Sequence, residues 1–155
     1  MIAIQDFYAD PFAQCYGCGR LNPHGYHLKT RWEGDHTLTT FIPSEHHTAI
    51  PGFVYGGLLA SLIDCHGTGS ASLALVRDRG IELQPYNAPR CVTASLQVNY
   101  HKPTPLGPEL RILGKIVEVK GRKVIIDAEL YAGDCLCVTG QIVAVEVPEN
   151  FGQNG

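Results

Sequence analysis

No stretch of this sequence approaches the roughly 18 consecutive apolar residues that a membrane-crossing helix needs. The opening Met1-Ile-Ala-Ile-Gln-Asp lacks a basic region followed by a long apolar one, so no signal peptide is read there. Positive charge is not in excess either: 12 Lys and Arg stand against 15 Asp and Glu, for a net charge of -3. That balance argues against a nucleic-acid partner, which would demand a basic face. The brief basic cluster at Lys120, Arg122 and Lys123 reads as a hairpin turn, although its charge also suits an anionic ligand arm. Internal repeats, low-complexity runs and long linkers are missing. So are a Gly-x-Ser-x-Gly elbow, a P-loop and a dinucleotide fingerprint. The expectation is a cytoplasmic protein with neither membrane nor nucleic acid as partner. Its six cysteines are then reduced thiols rather than a disulfide framework.

What is present suits one domain spanning residues 1–155, of which 45% are hydrophobic and 17% charged. Residues 1–25, rich in Gly, Pro, Asn and Cys, read as an irregular N-terminal loop. His27 to Trp32 and Thr37 to Ile42 alternate loosely around Glu33-Gly34-Asp35, which predicts a β-hairpin. From Phe53 to about Arg77 the chain is free of proline and dense in Leu and Ala, as a long helix requires. Leu58, Leu59, Leu62, Ile63, Leu73 and Leu75 occupy most of its circumference, so the helix belongs in the interior. Gly67 and Gly69 would weaken an isolated helix, which implies that something packs very close to them. Four strands follow, beginning with Val92 to Tyr100, where Val92, Ala94, Leu96, Val98 and Tyr100 share one face. Leu110–Val119, Lys123–Tyr131 and Cys135–Val147 complete a meander through turns at Lys120-Gly121-Arg122 and Ala132-Gly133-Asp134. Two strands, one buried helix and four strands predict an α+β fold, an antiparallel sheet wrapped around one long central helix.

The helix interior carries a single charged group, Asp64. An ionised carboxylate on an apolar helix is costly to bury without partners or a task. Ser61 and Thr68, three and four residues away, are placed to hydrogen-bond it. At the start of the helix, Tyr55-Gly56-Gly57 sets two glycines where N–H groups lack intrahelical partners. Those donors and the positive end of the helix dipole suit a developing oxyanion, or the pair is simply a crowded helix start. Asp64 lies about two turns further on, roughly 10 Å by helix rise. That is long for one chain to grip one carbonyl, and a second copy supplying the other half resolves it.

The run Pro51-Gly52-Phe53-Val54-Tyr55-Gly56-Gly57-Leu58-Leu59-Ala60-Ser61-Leu62-Ile63-Asp64 resembles the helix-start motif of hotdog-fold thioesterases, in the phenylacetate-degradation (PaaI-like) branch. Cys15-x-x-Cys18-Gly19-x-x-Asn22-Pro23-x-Gly25 and Tyr100-x-x-Pro103 resemble members of the same branch. The resemblance covers nearly the whole chain. It implies a hotdog fold and hydrolysis of an acyl-CoA thioester without a cofactor or a metal. Asp64 would be nucleophile or general base, Gly56 N–H the oxyanion donor, and Thr93 the hydroxyl that positions water. His47, Tyr55, Gly57, Ser61 and Thr68 are expected around the acyl-CoA substrate. The resemblance also implies a homodimer that completes the active site, and pairing of dimers into a homotetramer. Two positions depart from the family pattern: Tyr55 replaces its histidine, and Ala49 replaces an asparagine that often stands seven residues before the first glycine.

Two rival readings accompany this one. The departures at Tyr55 and Ala49 suit a non-hydrolytic acyl-CoA binding protein. Cys15-x2-Cys18-x5-His24-x2-His27 contains the ligand types zinc favours and suits a zinc-organised interaction module, although the spacing is shorter than the common finger pattern. The plainer expectation for that loop is incidental thiols, with Cys65, Cys91, Cys135 and Cys137 as packing residues. His66, two residues from Asp64 on another helical face, is expected to be structural.

Overall fold

The computed structural model describes residues 2–152. Strands β1 (Thr30–Glu33) and β2 (His36–Phe41) precede helix α1 (Gly56–Arg79). Strands β3 (Cys91–Tyr100), β4 (Leu110–Lys120), β5 (Lys123–Ala132) and β6 (Cys135–Glu146) follow it. The strands form one antiparallel sheet in the order β1-β2-β4-β5-β6-β3. Helix α1 lies along its concave face, with every residue from Leu58 to Leu75 buried except Ala60, Ser61 and Asp64. Each fully buried Leu or Ile on such a face contributes about 1.5–3 kcal/mol, so the helix is held by burial from several sides rather than by one amphipathic stripe.

The helix starts three residues later than its composition predicts. Phe53 and Val54 are extended instead, in isolated bridges Phe53–Pro105 and Thr48–Val54, with Val54 N–H donating to Thr104 O at 2.9 Å. At the other end Gly80 takes the left-handed conformation (φ 61°) and its N–H donates to Arg77 O, while Ile81 N–H reaches back to Val76 O. That is the αL stop which a Cβ-bearing residue adopts only at a cost.

Gly67 and Gly69 mark close approaches, as their place in the helix predicts. A Cβ at Gly67 would lie 2.5 Å from Ile142 Cγ1 of β6, and one at Gly69 would lie 2.7 Å from both Gln5 Nε2 and Thr30 Oγ1. The N-terminal segment, read as irregular, forms two short 3-10 turns at Ile4–Phe7 and Asp10–Phe12 and enters the core: Ile4, Tyr8, Ala13 and Cys18 are buried, and Ile4 and Tyr8 pack with Leu73 of α1 and Ala88. The alternation in β3 does not give a buried face, because Ala94, Leu96 and Tyr100 are exposed. A register shift between Thr93 and Ser95 bulges the strand, and β3 is an edge strand paired only with β6 among the described residues.

Candidate active site

Asp64 is half-buried on α1 and accepts a hydrogen bond at Oδ1 from Thr93 Oγ1 of β3. Thr93 stands at the bulge and pairs with Ala144 of β6. A bulge re-aims the side chain beside it, and here that side chain is the one meeting the helix carboxylate. Ser61 and Thr68 do not bond Asp64. Ser61 Oγ donates to Gly57 O at 2.9 Å, and Thr68 Oγ1 donates to Cys65 O at 3.2 Å. Helical hydroxyls have a backbone carbonyl within reach one turn back, and these two take it.

At the start of α1 no backbone carbonyl among the described residues accepts from Gly56 or Gly57 N–H. Tyr100 Oη donates to Gly56 O at 2.7 Å, which fastens the end of β3 to the helix start. A Cβ at Gly56 would meet only ordinary contact with the Tyr100 ring, at 3.6 Å. Tyr55 is exposed and its ring folds over Gly57, where a Cβ would lie 2.5 Å from the ring tip. A cavity of about 420 Å³ opens beside Gly56, lined by Ile50, Phe53, Leu59, Tyr100, His101 and Lys102 among others. A larger bowl of about 600 Å³ sits at the opposite end of the helix, around Arg79, Arg90 and Glu146, away from both Gly56 and Asp64.

His47 is half-buried ahead of this cavity. Its carbonyl accepts from Tyr55 N–H at 2.9 Å and its Nδ1 accepts from Ser44 N–H at 2.9 Å. Burial, and then the adjoining His46, lower its pKa below the usual imidazole value. Thus Tyr55, Gly57 and His47 gather with Gly56 at the helix start, and Thr93 joins Asp64. The two groups remain apart: Gly56 and Asp64 are on one unbroken helix, about 12 Å along its axis.

Two constellations escaped the sequence reading. His66 is fully buried, as a structural histidine should be, but it ends a hydrogen-bonded chain from the N-terminus. Gln5 Nε2 donates to Thr30 Oγ1 (3.0 Å), Thr30 meets Thr39 Oγ1 (3.0 Å), and Thr39 meets His66 Nδ1 (2.8 Å). On its other side Nε2 faces Thr37 and Ser70 hydroxyls at 3.4 Å. Burial among these neutral partners pushes its pKa down to about 3.

The second is a thiol cluster. Cys65 is not a plain packing residue: its Sγ lies 3.9 Å from Cys15 Sγ, and those two and Cys18 Sγ all fall within 4.8 Å of one another. Hydrogen bonding to Cys18 and then to Cys65 holds the Cys15 thiol far below its ordinary range. The same contact with Cys15 raises Cys18 to about 11 and raises Cys65 as well. His24 and His27 stay outside the cluster; both are exposed, and His27 Nε2 bonds the Asn22 carbonyl. Nothing in the spacing of Cys65 signals its part, because only the packing of the N-terminal loop on α1 brings it there.

A six-stranded antiparallel sheet in this order around one long helix defines a hotdog-fold protein. The chain belongs to the thioesterase superfamily, whose family model matches residues 51–139, more than half its length. A thioesterase superfamily protein from Shewanella loihica PV-4 is 50% identical, with a TM-score of 0.67 over 82% of this chain and 96% of that one. A thioesterase from Haemophilus influenzae superposes with a TM-score of 0.67 over 95% of each chain at 14% identity, a likeness of fold alone. Acyl-coenzyme A thioesterase THEM4 of Mus musculus is 28% identical over 98 residues, or 63% of this chain. Its Xenopus laevis counterpart is 31% identical over 94 residues, or 61% of this chain. The chain matches 36% of the length of each of these two relatives.

Proposed function

We propose that this protein is an acyl-CoA thioesterase, splitting a thioester into the free acid and CoA with water. The carrying observation is the half-buried Asp64 carboxylate held by Thr93 on a helix whose first N–H groups are free to receive a carbonyl oxygen. Family membership and the acyl-CoA thioesterases among its relatives support the same reading.

In this reading Gly56 N–H and the helix terminus stabilise the negative charge that builds on the thioester oxygen. Asp64 either attacks the carbonyl carbon, giving an anhydride that water then opens, or takes a proton from water as water attacks. Thr93 orients the carboxylate and its water. The departing thiolate has a conjugate-acid pKa of about 8.5, so it leaves without a strong general acid. A tyrosine at position 55 is therefore compatible with turnover, and its hydroxyl offers the substrate a donor beside Gly57, His47 and Ser61.

The separation of Gly56 from Asp64 on one helix calls for a homodimer in which one copy's Gly56 faces the other's Asp64. Two features suit such pairing. The edge strand β3 offers a free side over ten residues, and Ile50, Phe53, Leu96 and Tyr100 expose apolar surface. Dimers of this kind would assemble further into a homotetramer. No helix of the described residues is long and apolar enough to cross a membrane, and six free cysteines suit the reducing cytoplasm.

The test is thiol release from short, long and aryl acyl-CoAs, comparing wild type with Asp64→Asn, with circular dichroism as a check on folding. We expect Asp64→Asn to lose about 10²–10⁴-fold in kcat while remaining folded. Undiminished release by that variant would remove Asp64 from the mechanism. Acyl-CoA binding by wild type with no release from any substrate would replace the enzyme with a binding protein.

A further inference from the structure

We propose that Cys15, Cys18 and Cys65 form a three-thiolate site for a thiophilic metal ion, zinc in the first instance, which clamps the N-terminal segment to α1. The three sulfurs converge on one point from two distant parts of the chain, within 4.8 Å of one another. A zinc–thiolate bond of about 2.3 Å sets the sulfur–sulfur edge of a tetrahedral site at about 3.8 Å. The Cys15–Cys65 separation of 3.9 Å already meets that edge, and the remaining pairs need at most about 1 Å of closure. No histidine or carboxylate of the described residues joins the three. Such an ion therefore keeps one open position, for water or an added thiol.

The loop is shaped around this point before any ion arrives. Gly19 N–H donates to Cys15 O at 2.8 Å, and Leu28 N–H donates to Gly17 O at 3.0 Å. Gly17 is what lets the loop cross so close to the helix: a Cβ there would lie 2.3 Å from Cys65 Sγ. A disulfide would join only two of these sulfurs and leave the third without a role, whereas a cation engages all three. On binding, each thiol that still carries a proton releases it to solvent, so three thiolates and a divalent ion leave one net negative charge. The Arg90 guanidinium, 4.9 Å from the Tyr8 ring centre and bonded to Cys91 O at 2.6 Å, bears on Cys18 through its positive charge.

Cys65 follows Asp64 directly, and successive helical side chains diverge by about 100°. The ion would thus sit off the carboxylate's own direction. Its part is to hold the helix and the N-terminal segment together, independently of thioester hydrolysis.

The test takes the full-length chain, stripped with a chelator under reducing conditions and titrated with Zn²⁺ or Co²⁺ alone. Wild type should bind one ion per chain, show a near-ultraviolet thiolate-to-cobalt band, and unfold at higher temperature with zinc than without. Loss of a group that merely orients a ligand costs about 10–100-fold in affinity. Cys65→Ser should therefore weaken zinc by more than that, and Cys91→Ser should not change it. Cys15→Ser, in the half-buried loop position, repeats the comparison should Cys65→Ser fail to fold. Binding well below one ion per chain overturns the proposal, as does a cobalt spectrum unchanged in both Cys65→Ser and Cys15→Ser. An intramolecular disulfide in the oxidised protein, with no metal uptake once reduced, overturns it in favour of a redox pair.

Discussion

Lowering the pH should expose how His66 is held. Its ring is fully buried, and every group facing it is neutral: Thr37 and Thr39 from β2, Ser70 from its own helix and Gly114 from β4. A Cβ at Gly114 would lie 2.5 Å from His66 Nε2, so the pocket leaves little room for water. Folding thus holds the ring neutral, with its pKa pushed from the ordinary value to about 3. In the unfolded chain it titrates at about 6.5. Above that pH both states carry a neutral ring, and His66 adds no pH dependence. Below it the unfolded state takes up a proton that the folded state refuses, so stability falls as pH falls through the window down to about 3. The slope approaches about 1.4 kcal/mol per pH unit, and the loss by pH 5 is about 2 kcal/mol relative to pH 7.5. Urea unfolding of wild type and His66→Gln at pH 7.5, 6 and 5 isolates the effect, because the carboxylates titrate alike in both proteins. Wild type should lose about 2 kcal/mol more than the variant between pH 7.5 and 5. Parallel loss in the two proteins would refute a neutral, sealed histidine.

Other substitutions probe the site and its scaffold. Thr93→Val removes the hydroxyl that meets Asp64; a hydrogen bond to a charged group is worth about 1.5–3 kcal/mol, so kcat should drop roughly tenfold to a hundredfold, and Thr93→Ser should recover most of it. An equal kcat in Thr93→Val would detach Thr93 from the reaction. Gly56→Ala has room beside Tyr100, so its melting temperature should stay near wild type while its methyl obstructs the carbonyl and lowers kcat/KM; loss of stability instead would make Gly56 a packing residue. Gly67→Ala gains about 1 kcal/mol of helix propensity, but its methyl meets Ile142 Cβ at 2.7 Å. Overpacking of this kind costs about 1–3 kcal/mol, and a variant more stable in urea than wild type would contradict the close packing.

The order of elements was legible because each carries its own local signal. The proline-free run ending near Arg77 could only be a long helix, and glycine turns at Gly34, Gly121 and Gly133 delimited the hairpins. Asp64 stood out for a local reason as well, being the one charge in the interior of an apolar helix. The helix starts three residues after its apolar run does because Phe53 and Val54 are apolar in either conformation. Their extended form comes from bridges to Thr48 and Pro105, which composition does not encode. The same limit applies to hydroxyls: Ser61 and Thr68 share a helix with Asp64, yet their bonds go to carbonyls one turn back.

Periodicity, turn chemistry and the lone carboxylate are properties of neighbours in the chain, so the sequence alone determined a sheet around a helix with Asp64 upon it. Tertiary packing decided which distant residues meet. It brought Thr93 to Asp64 across 29 positions, Gln5 and Thr30 toward His66, and Cys65 to Cys15 across 50. Those contacts depend on where a bulge aims a strand and where glycine lets a loop cross a helix, and both are settled only when the core closes.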